Sequence, residues 1–488
     1  MSRCFAFCCP GPLRRAVGAG LGLLLAVLIG PVSDSRAQPQ QAPTPSVTDT
    51  TQLTFDEAVR IALDQNTDVK RAQASVREAS AQVQAEWMDF APDLSLSSST
   101  GYDFGRGFSQ VEGEVVTQSR NSFNVSARSG ITLFNGFENT ASLRQANNQA
   151  RASELSLDRT RREVAFTVMD QFIALLESRE QVRVRREQLQ ALRQQLEQTQ
   201  EFVDSGASPV SDLYRQQADV AEAEQQLLQA RREREVGKTR LIQTLQLNPQ
   251  AAYDFQVPDL EGDTLGTATY NLSALIDEAF RNRLDLQVAK AERRAAEQNV
   301  RVAKSSYYPT VSIGGSYRSD WLSTRKIQNP QTGRPVRPTF FDQLNNNRGG
   351  GISLSLSIPI FDRLQRNAQV ERAQVQAQNA EYNLRDQRQQ VALQVRQAYL
   401  DYRNAVQQLQ AARKRLKAAR QARTATQERY NLGAASIVEL RNANRDFVDA
   451  ASQRVRARYN LLFRQKQIDY HVGRLDPRRP LRSTQTTQ

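Results

Sequence analysis

Cysteine is almost missing from this 488-residue chain, and the three present (Cys4, Cys8, Cys9) all fall within the first nine residues. If that segment is removed, the remainder has no thiol, no disulfide and no cysteine-ligated metal. Histidine is scarcer still. His471 stands alone, so no histidine cluster exists, and it reads as a structural side chain. Proline occupies only 17 positions and hydrophobic residues reach 39%, which excludes a disordered chain. Beyond residue 30 no stretch approaches the roughly eighteen apolar residues of a transmembrane helix. Phosphate-binding glycine loops, nucleophile elbows and metal-ligand spacings are also missing, so neither catalysis nor a cofactor is expected.

What is present begins with an export pattern. Arg3, Arg14 and Arg15 precede the apolar run Ala16–Gly30, and Ser35-Arg36-Ala37 puts small residues at −3 and −1 of a cleavage point after Ala37. An N-terminal anchor helix is the alternative, disfavoured by the length and flanks of the run. The cysteines precede the run, so they form no lipoprotein box. The segment holds four arginines and one aspartate, so its loss lowers the net charge from +13 to +10. Residues 38–50, rich in Pro, Gln and Thr, read as a disordered leader.

The rest is one unit written twice. A shift of 227 positions carries Ile131-Thr132-Leu133-Phe134 onto Ile358-Pro359-Ile360-Phe361, Gly206 onto Gly433, and Asp212-Leu213 onto Glu439-Leu440. Upstream, residues 54–69 match 275–288 with a smaller offset. Each repeat starts with a helix of about forty residues (53–91, 272–308) ending at Pro92 or Pro309. Two alternating segments follow. Leu94, Leu96, Tyr102 and Phe104 share one parity against Ser95, Ser97, Ser99 and Asp103; Phe123, Val125, Ile131 and Leu133 alternate likewise. In the second repeat the stripes are Val311, Ile313, Tyr317 and Trp321, then Ile352, Leu354, Leu356, Ile358 and Ile360. Period 2 over bilayer-crossing lengths predicts amphipathic strands, joined by loops at 105–121 and 323–349. Tyr102, Tyr317 and Trp321 fit an interfacial girdle or ordinary strand packing equally well.

Next come runs without proline or glycine, 139–204 and 366–432, long enough for helices of roughly 100 Å. Leu189, Leu192, Leu196 and Val203 make a coiled-coil stripe, and Gly206–Pro209 and Gly433–Ala435 turn the chain back into half-length helices. Charge runs such as Arg183–Arg186 and Arg413–Arg415 read as solvated helix faces. The expected organisation is a signal peptide at 1–37, a leader at 38–50, a first repeat at 51–250 (strands about 93–104 and 122–134) and a linker at 251–270. A second repeat at 271–476 (strands about 310–322 and 350–361) and a flexible tail at 477–488 complete it. Four amphipathic strands cannot close a membrane barrel, whereas three copies supply twelve. The fold class is therefore mainly α with a membrane β-barrel part.

At the helix turns the chain resembles the TolC-like outer membrane factors. Tyr430-Asn431-Leu432-Gly433-Ala434-Ala435-Ser436-Ile437-Val438-Glu439-Leu440 is similar to their Tyr-x-x-Gly-x-x-(Ser/Thr)-Ile-x-(Asp/Glu)-(Val/Leu) motif, and Gly206-Ala207-Ser208-Pro209-Val210-Ser211-Asp212-Leu213 fits the same turn. The resemblance implies a homotrimer in the outer membrane lipid, with a 12-stranded β-barrel and a 12-helix periplasmic α-barrel. It implies an exit duct of a tripartite efflux pump, partnered by a periplasmic adaptor and an inner-membrane RND or ABC transporter. A type I protein secretion duct is the alternative. The resemblance makes Asp212, Glu439 and Tyr430 periplasmic gate residues, and Gly206, Ser208, Pro209, Gly433, Ala434 and Ser436 tip residues where the adaptor docks. Ala435 and Asn442 depart from the family's closing network. Taken alone, Asp212 and Glu439 read as helix N-terminal acids. A nucleic-acid-binding coiled coil suits the pI of about 9.9 but not the export pattern or the strands. An exported adaptor or coiled-coil structural protein would need compact β-domains instead.

Overall fold

The structure is a computed structural model that describes residues 51–109, 113–256, 268–331 and 333–478. The expected signal, the leader and most of the linker and tail lie outside the described residues. In chain order the elements are β1 (Thr51–Leu53), α1 (Phe55–Gln65), α2 (Thr67–Met88), β2 (Asp93–Ser109), β3 (Glu114–Asn135), α3 (Glu138–Asp204), α4 (Val210–Thr244) and β4 (Tyr253–Phe255). Then follow α5 (Leu272–Asn282), α6 (Leu284–Ser305), β5 (Thr310–Leu322), β6 (Ile327–Gln328), β7 (Pro335–Val336), α7 (Phe340–Asn346), β8 (Gly349–Ser357), α8 (Gln365–Asn431) and α9 (Ile437–Val472).

The long helices repeat at the 227 offset, α3 onto α8 and α4 onto α9. The front halves obey a different constant, 217: Phe55 falls on Leu272, Thr67 on Leu284 and Asp93 on Thr310. Matching Asp56-Glu57-Ala58 to Asp277-Glu278-Ala279, as local identity suggests, is therefore wrong by one helical turn. The buried positions Ala58/Leu275, Ala62/Ala279 and Val69/Leu286 decide the register. Neither front helix is continuous. Asn66 and Arg283, both with extended ψ (132° and 123°), break them without proline or glycine. Leu53, expected at the start of the first helix, lies in β1, which pairs in parallel with β4; Thr54 then opens α1 with a capping box to Glu57.

Strands β2-β3-β5-β8 form one antiparallel sheet. Its register gathers the four sequence stripes onto one face: Leu96 opposes Ala127, Ala127 opposes Tyr317, Phe123 opposes Trp321, and Ile131, Ile313 and Leu354 form a row. The opposite face is serine-rich, with Ser97 bonded to Ser126 and Arg120 paired to Asp103 at 3.2 Å. A bulge between Thr132 and Phe134 leaves Leu133 unpaired and sets Phe134 against Val311. Three expectations change here. The residues read as a loop over 105–121 mostly belong to β2 and β3. The loop 323–349 contains β6, β7 and α7. β8 ends at Ser357, before Pro359, whose nitrogen cannot donate to a ladder, so Ile358 and Ile360 lie outside it.

The principal core sits midway along the helices. There Phe55, Val59, Val168, Met169, Phe172, Leu241 and Tyr459 join α1, α3, α4 and α9. A second core joins α5, α8 and α9. The half-length helices α2 and α4 both lie along α3, and α6 and α9 along α8. Both long helices are entered through two successive left-handed residues, Gly136-Phe137 and Arg363-Leu364. At Gly136 (φ +66°) an added Cβ would lie 2.7 Å from the Ser305 carbonyl oxygen and from Tyr308 Cβ.

Two outcomes are expected. Gly136→Ala should lower the melting temperature in detergent well beyond Gly433→Ala. The latter adds only the left-handed penalty of about 1 kcal/mol, because nothing lies within 4 Å of its Cβ; equal shifts would contradict the clash. The second concerns His471. Burial, then the Arg283 charge, push its pKa from 6.5 down to about 4, against the opposing pull of Asp285. The folded state thus prefers neutral imidazole, and this contribution is complete above pH 6.5 and lost as pH falls towards 4. The wild type should lose on the order of 3 kcal/mol relative to His471→Gln across that window, measured by urea unfolding at each pH.

Candidate functional site at the helix tips

Both tips are built alike. Gly206 (φ +74°) and Gly433 (φ +71°) take the left-handed position after α3 and α8. Ala207 N–H donates to the Phe202 carbonyl at 2.8 Å and Gly206 N–H to Val203 at 3.0 Å; Ala434 N–H donates to Arg429 at 2.7 Å and Gly433 N–H to Tyr430 at 2.9 Å. These paired bonds close a Schellman turn at each tip, and the glycines serve conformation, since the space around them is open. Ser208 N–H also returns to Phe202, at 3.1 Å.

The return helices start differently. Pro209 precedes α4 without a side-chain cap, whereas Ser436 Oγ accepts from Glu439 N–H at 3.2 Å. Asp212 and Glu439 each occupy the third helical position, where an acid meets unpaired amides and the positive end of the helix dipole. Beyond that the equivalence fails. The Asp212 side chain is only 17% exposed and lies 3.5 Å from Arg215, while Glu439 is half exposed and 3.5 Å from Arg429. Arg429 also donates to the Ala434 carbonyl at 2.9 Å, so one guanidinium ties the end of α8 to the start of α9.

Tyr430 is half-buried near the end of α8. Burial raises the pKa of its phenol, a hydrogen bond with Thr199 of α3 opposes that, and the Asp212 charge adds to it. The Tyr430 phenol thus feels the Asp212 charge, while Glu439 stays on its own tip with Arg429. Ala435 is half-buried at the turn. Asn442 lines a cavity of about 730 Å³ between the α3/α4 and α8/α9 hairpins, with Arg185, Asp219, Arg423, Arg445 and Phe447 also in its wall.

Sequence reasoning missed what laces the hairpins. Arg441 Nε sits 3.0 Å from Asp219, Asn444 donates to Gln195 at 3.3 Å, and Gln181 donates to the Ser452 carbonyl at 3.0 Å. Burial raises the Asp219 pKa, with Arg441 opposing. Each partner lies more than two hundred residues from the other, and no periodicity marks them. Among the described residues no group of His, Cys, Asp or Glu could hold a metal ion, and no helix is long and apolar enough to cross a membrane.

Comparison with known proteins agrees with this geometry. TolC of Salmonella enteritidis is 23% identical over 205 residues, which cover 42% of this chain and 40% of that protein, so the match spans under half of the relative's length. Among solved structures, CusC, which forms a transmembrane channel, superposes with a TM-score of 0.73 at 16% identity, covering 86% of this chain and 92% of CusC. The outer membrane protein VceC of Vibrio cholerae superposes with a TM-score of 0.71 at 16% identity, covering 86% and 96%. These likenesses establish the fold of a channel protein. The outer membrane efflux protein family matches residues 58–245 and 275–474, both repeats and most of the chain. That family comprises transport ducts rather than enzymes. The chain belongs to the outer membrane efflux protein family and is a protein of the outer membrane.

Proposed function

We propose that, after loss of residues 1–37, three copies assemble into a duct that carries small molecules from an inner-membrane transporter across the periplasm and outer membrane. One observation carries this reading: a sheet with a largely apolar, exposed face and two unpaired edges continues directly into 67-residue helices. In lipid, unpaired strand edges cost several kcal/mol for each backbone group, so β2 of one copy pairs with β8 of the next. Twelve strands and a helical cylinder below them result. A periplasmic adaptor docks at the tips, around Gly206, Ser208, Pro209, Gly433, Ala434 and Ser436. The transporter, of the RND or ABC class, supplies the energy.

Asp212 and Glu439 each become a ring of three carboxylates under three-fold symmetry and attract cations at the constriction. Tyr430, half-buried beside Thr199 of α3 and within the field of Asp212, helps hold the two tips of a protomer together. The test is planar-bilayer conductance of the detergent-purified trimer beside Asp212→Ala/Glu439→Ala. A small cation-selective conductance that rises or loses selectivity in the double variant is the expected result. Unchanged conductance and selectivity would remove the gate assignment and leave the duct, and failure of the trimer to insert would remove the duct.

A further inference from the structure

At the end of the sheet farthest from the helices, β8 stops before β5 does. Their register closes with Arg318 opposite Gly349, and α7 continues in the place of the missing strand. The buried side-chain amide of Gln343 accepts from Leu322 N–H at 3.0 Å and donates to the Leu322 carbonyl at 3.1 Å. Asn347 donates to the Asp320 carbonyl at 2.7 Å, and Ser319 Oγ donates to the Leu344 carbonyl at 2.6 Å. Gln343 thus meets Leu322 and Asn347 meets Asp320, so α7 runs antiparallel to β5, as β8 does. Phe340 lies 5.4 Å from Phe123 and 5.5 Å from Trp321, which holds the helix on the apolar side of the sheet.

Helical spacing gives α7 a second side. At about 100° per residue, Gln343 and Asn347 share one stripe, and Phe341 and Asn345 share the stripe opposite. The first stripe faces β5. The second therefore faces away from the protomer's own sheet, across its open edge. Phe341 is 78% exposed, and the exposed Asn345 carboxamide has no hydrogen-bond partner among the described residues. This stripe carries the same chemistry that secures α7 to its own sheet: an amide able to pair with a strand edge, beside an aromatic ring able to lie on an apolar face.

In the duct proposed above, the strand across the seam from β8 is β2 of the next copy. β2 is 17 residues long and β8 nine, so nearly half of β2's outer edge lies past the end of β8. Both strands adjoin the long helical part, β2 at Asp93 and β8 at Ser357. Counted flush from that end, Gly349 comes level with Gly101, and α7 with Tyr102 to Gly105. Tyr102 and Phe104 stand exposed on the apolar side there, their ring centroids 6.0 Å apart. We infer that α7 is a two-sided clip between copies of this chain. Its Gln343 side completes the edge of its own β5. On the other side, Phe341 packs on Tyr102 and Phe104 of the partner subunit, and Asn345 pairs with that β2 edge. Lipid is the poorer occupant, because hydrocarbon would leave both the Asn345 amide and the facing backbone groups unpaired. The inference rests on the trimeric duct, and the test separates the two.

Beyond Cys9 the chain has no cysteine, so pairs introduced into the exported protein stand alone. Phe341→Cys is combined with Phe104→Cys or, at the helix end of the same strand, with Leu94→Cys, and the purified trimers are oxidised with copper phenanthroline. Because a disulfide needs Cα atoms within about 7 Å, the Phe104→Cys pair should bridge copies roughly ten-fold faster than the Leu94→Cys pair, giving covalent trimers on denaturing gels. Without cysteines, Phe341→Ala/Asn345→Ala should lower the temperature at which trimers dissociate in detergent. Intact trimers that form no bridge, or that bridge equally through both pairs, would overturn the clip and assign Phe341 to lipid. An unchanged dissociation temperature in the alanine variant would overturn it as well. Failure of the unsubstituted chain to form trimers removes the duct reading, and this inference with it.

Discussion

A backbone that enters lipid must leave no amide or carbonyl unpaired, and the four-stranded sheet of this chain fails that condition alone. β2 and β8 are edges, and most of the apolar side chains on one face, Leu96 and Leu354 among them, are exposed within the protomer. Much else follows from meeting the condition. Closure requires other copies of the chain, and copies arranged about an axis bring their long helices side by side. Where β8 stops short of the end of β5, a glutamine amide performs the strand's pairing.

Stability is concentrated accordingly. The largest core lies at the middle of the rod, where α1, α3, α4 and α9 converge with β1 and β4. Towards the sheet, α3 and α6 share only a small cluster of Ala152, Leu155, Val288 and Ala291. Towards the tips, the hairpins are joined by polar bridges such as Arg441–Asp219 around a cavity. A region held by partly exposed ion pairs and hydrogen bonds separates at lower cost than one held by Phe172 and Met169. By this distribution the tips are the part of the rod that separates at least cost and the middle the part that resists.

The strand parities, the 227 offset and the tip glycines were legible because each depends on local chemistry that repeats at short range. Apolar alternation encodes a two-sided strand, and glycine marks a left-handed turn. The helix breaks were not legible. Asn66 caps α2 through its own side chain to Asp68 N–H at 2.9 Å, and the break at Arg283 depends on Asp285, Gln394 and Gln387, scattered through the chain. The 217 register was obscured by a run of three identical residues one turn out of phase, and only burial resolves it. The fold of 323–349 was hidden because its strand surrogate is a side chain. At the candidate site the two acids and the tyrosine were visible, but their unequal surroundings, Arg215 and Tyr430 for one and Arg429 for the other, arise from tertiary packing.

The two breaks carry a consequence for the whole assembly. They occupy equivalent places in the two repeats, so the path of the backbone is nearly the same in both. At one, Asn66 donates to the Thr244 carbonyl at 3.1 Å. At the other, burial pushes the Asp285 carboxyl up, yet the bonds and charge of Arg283 outweigh it and hold its pKa below the usual carboxylate range. Around the three-fold axis of the assembly proposed above, the outline would repeat six times while the chemistry repeats three times. Seen from outside, such a cylinder would present six similar shapes carrying two alternating sets of charges.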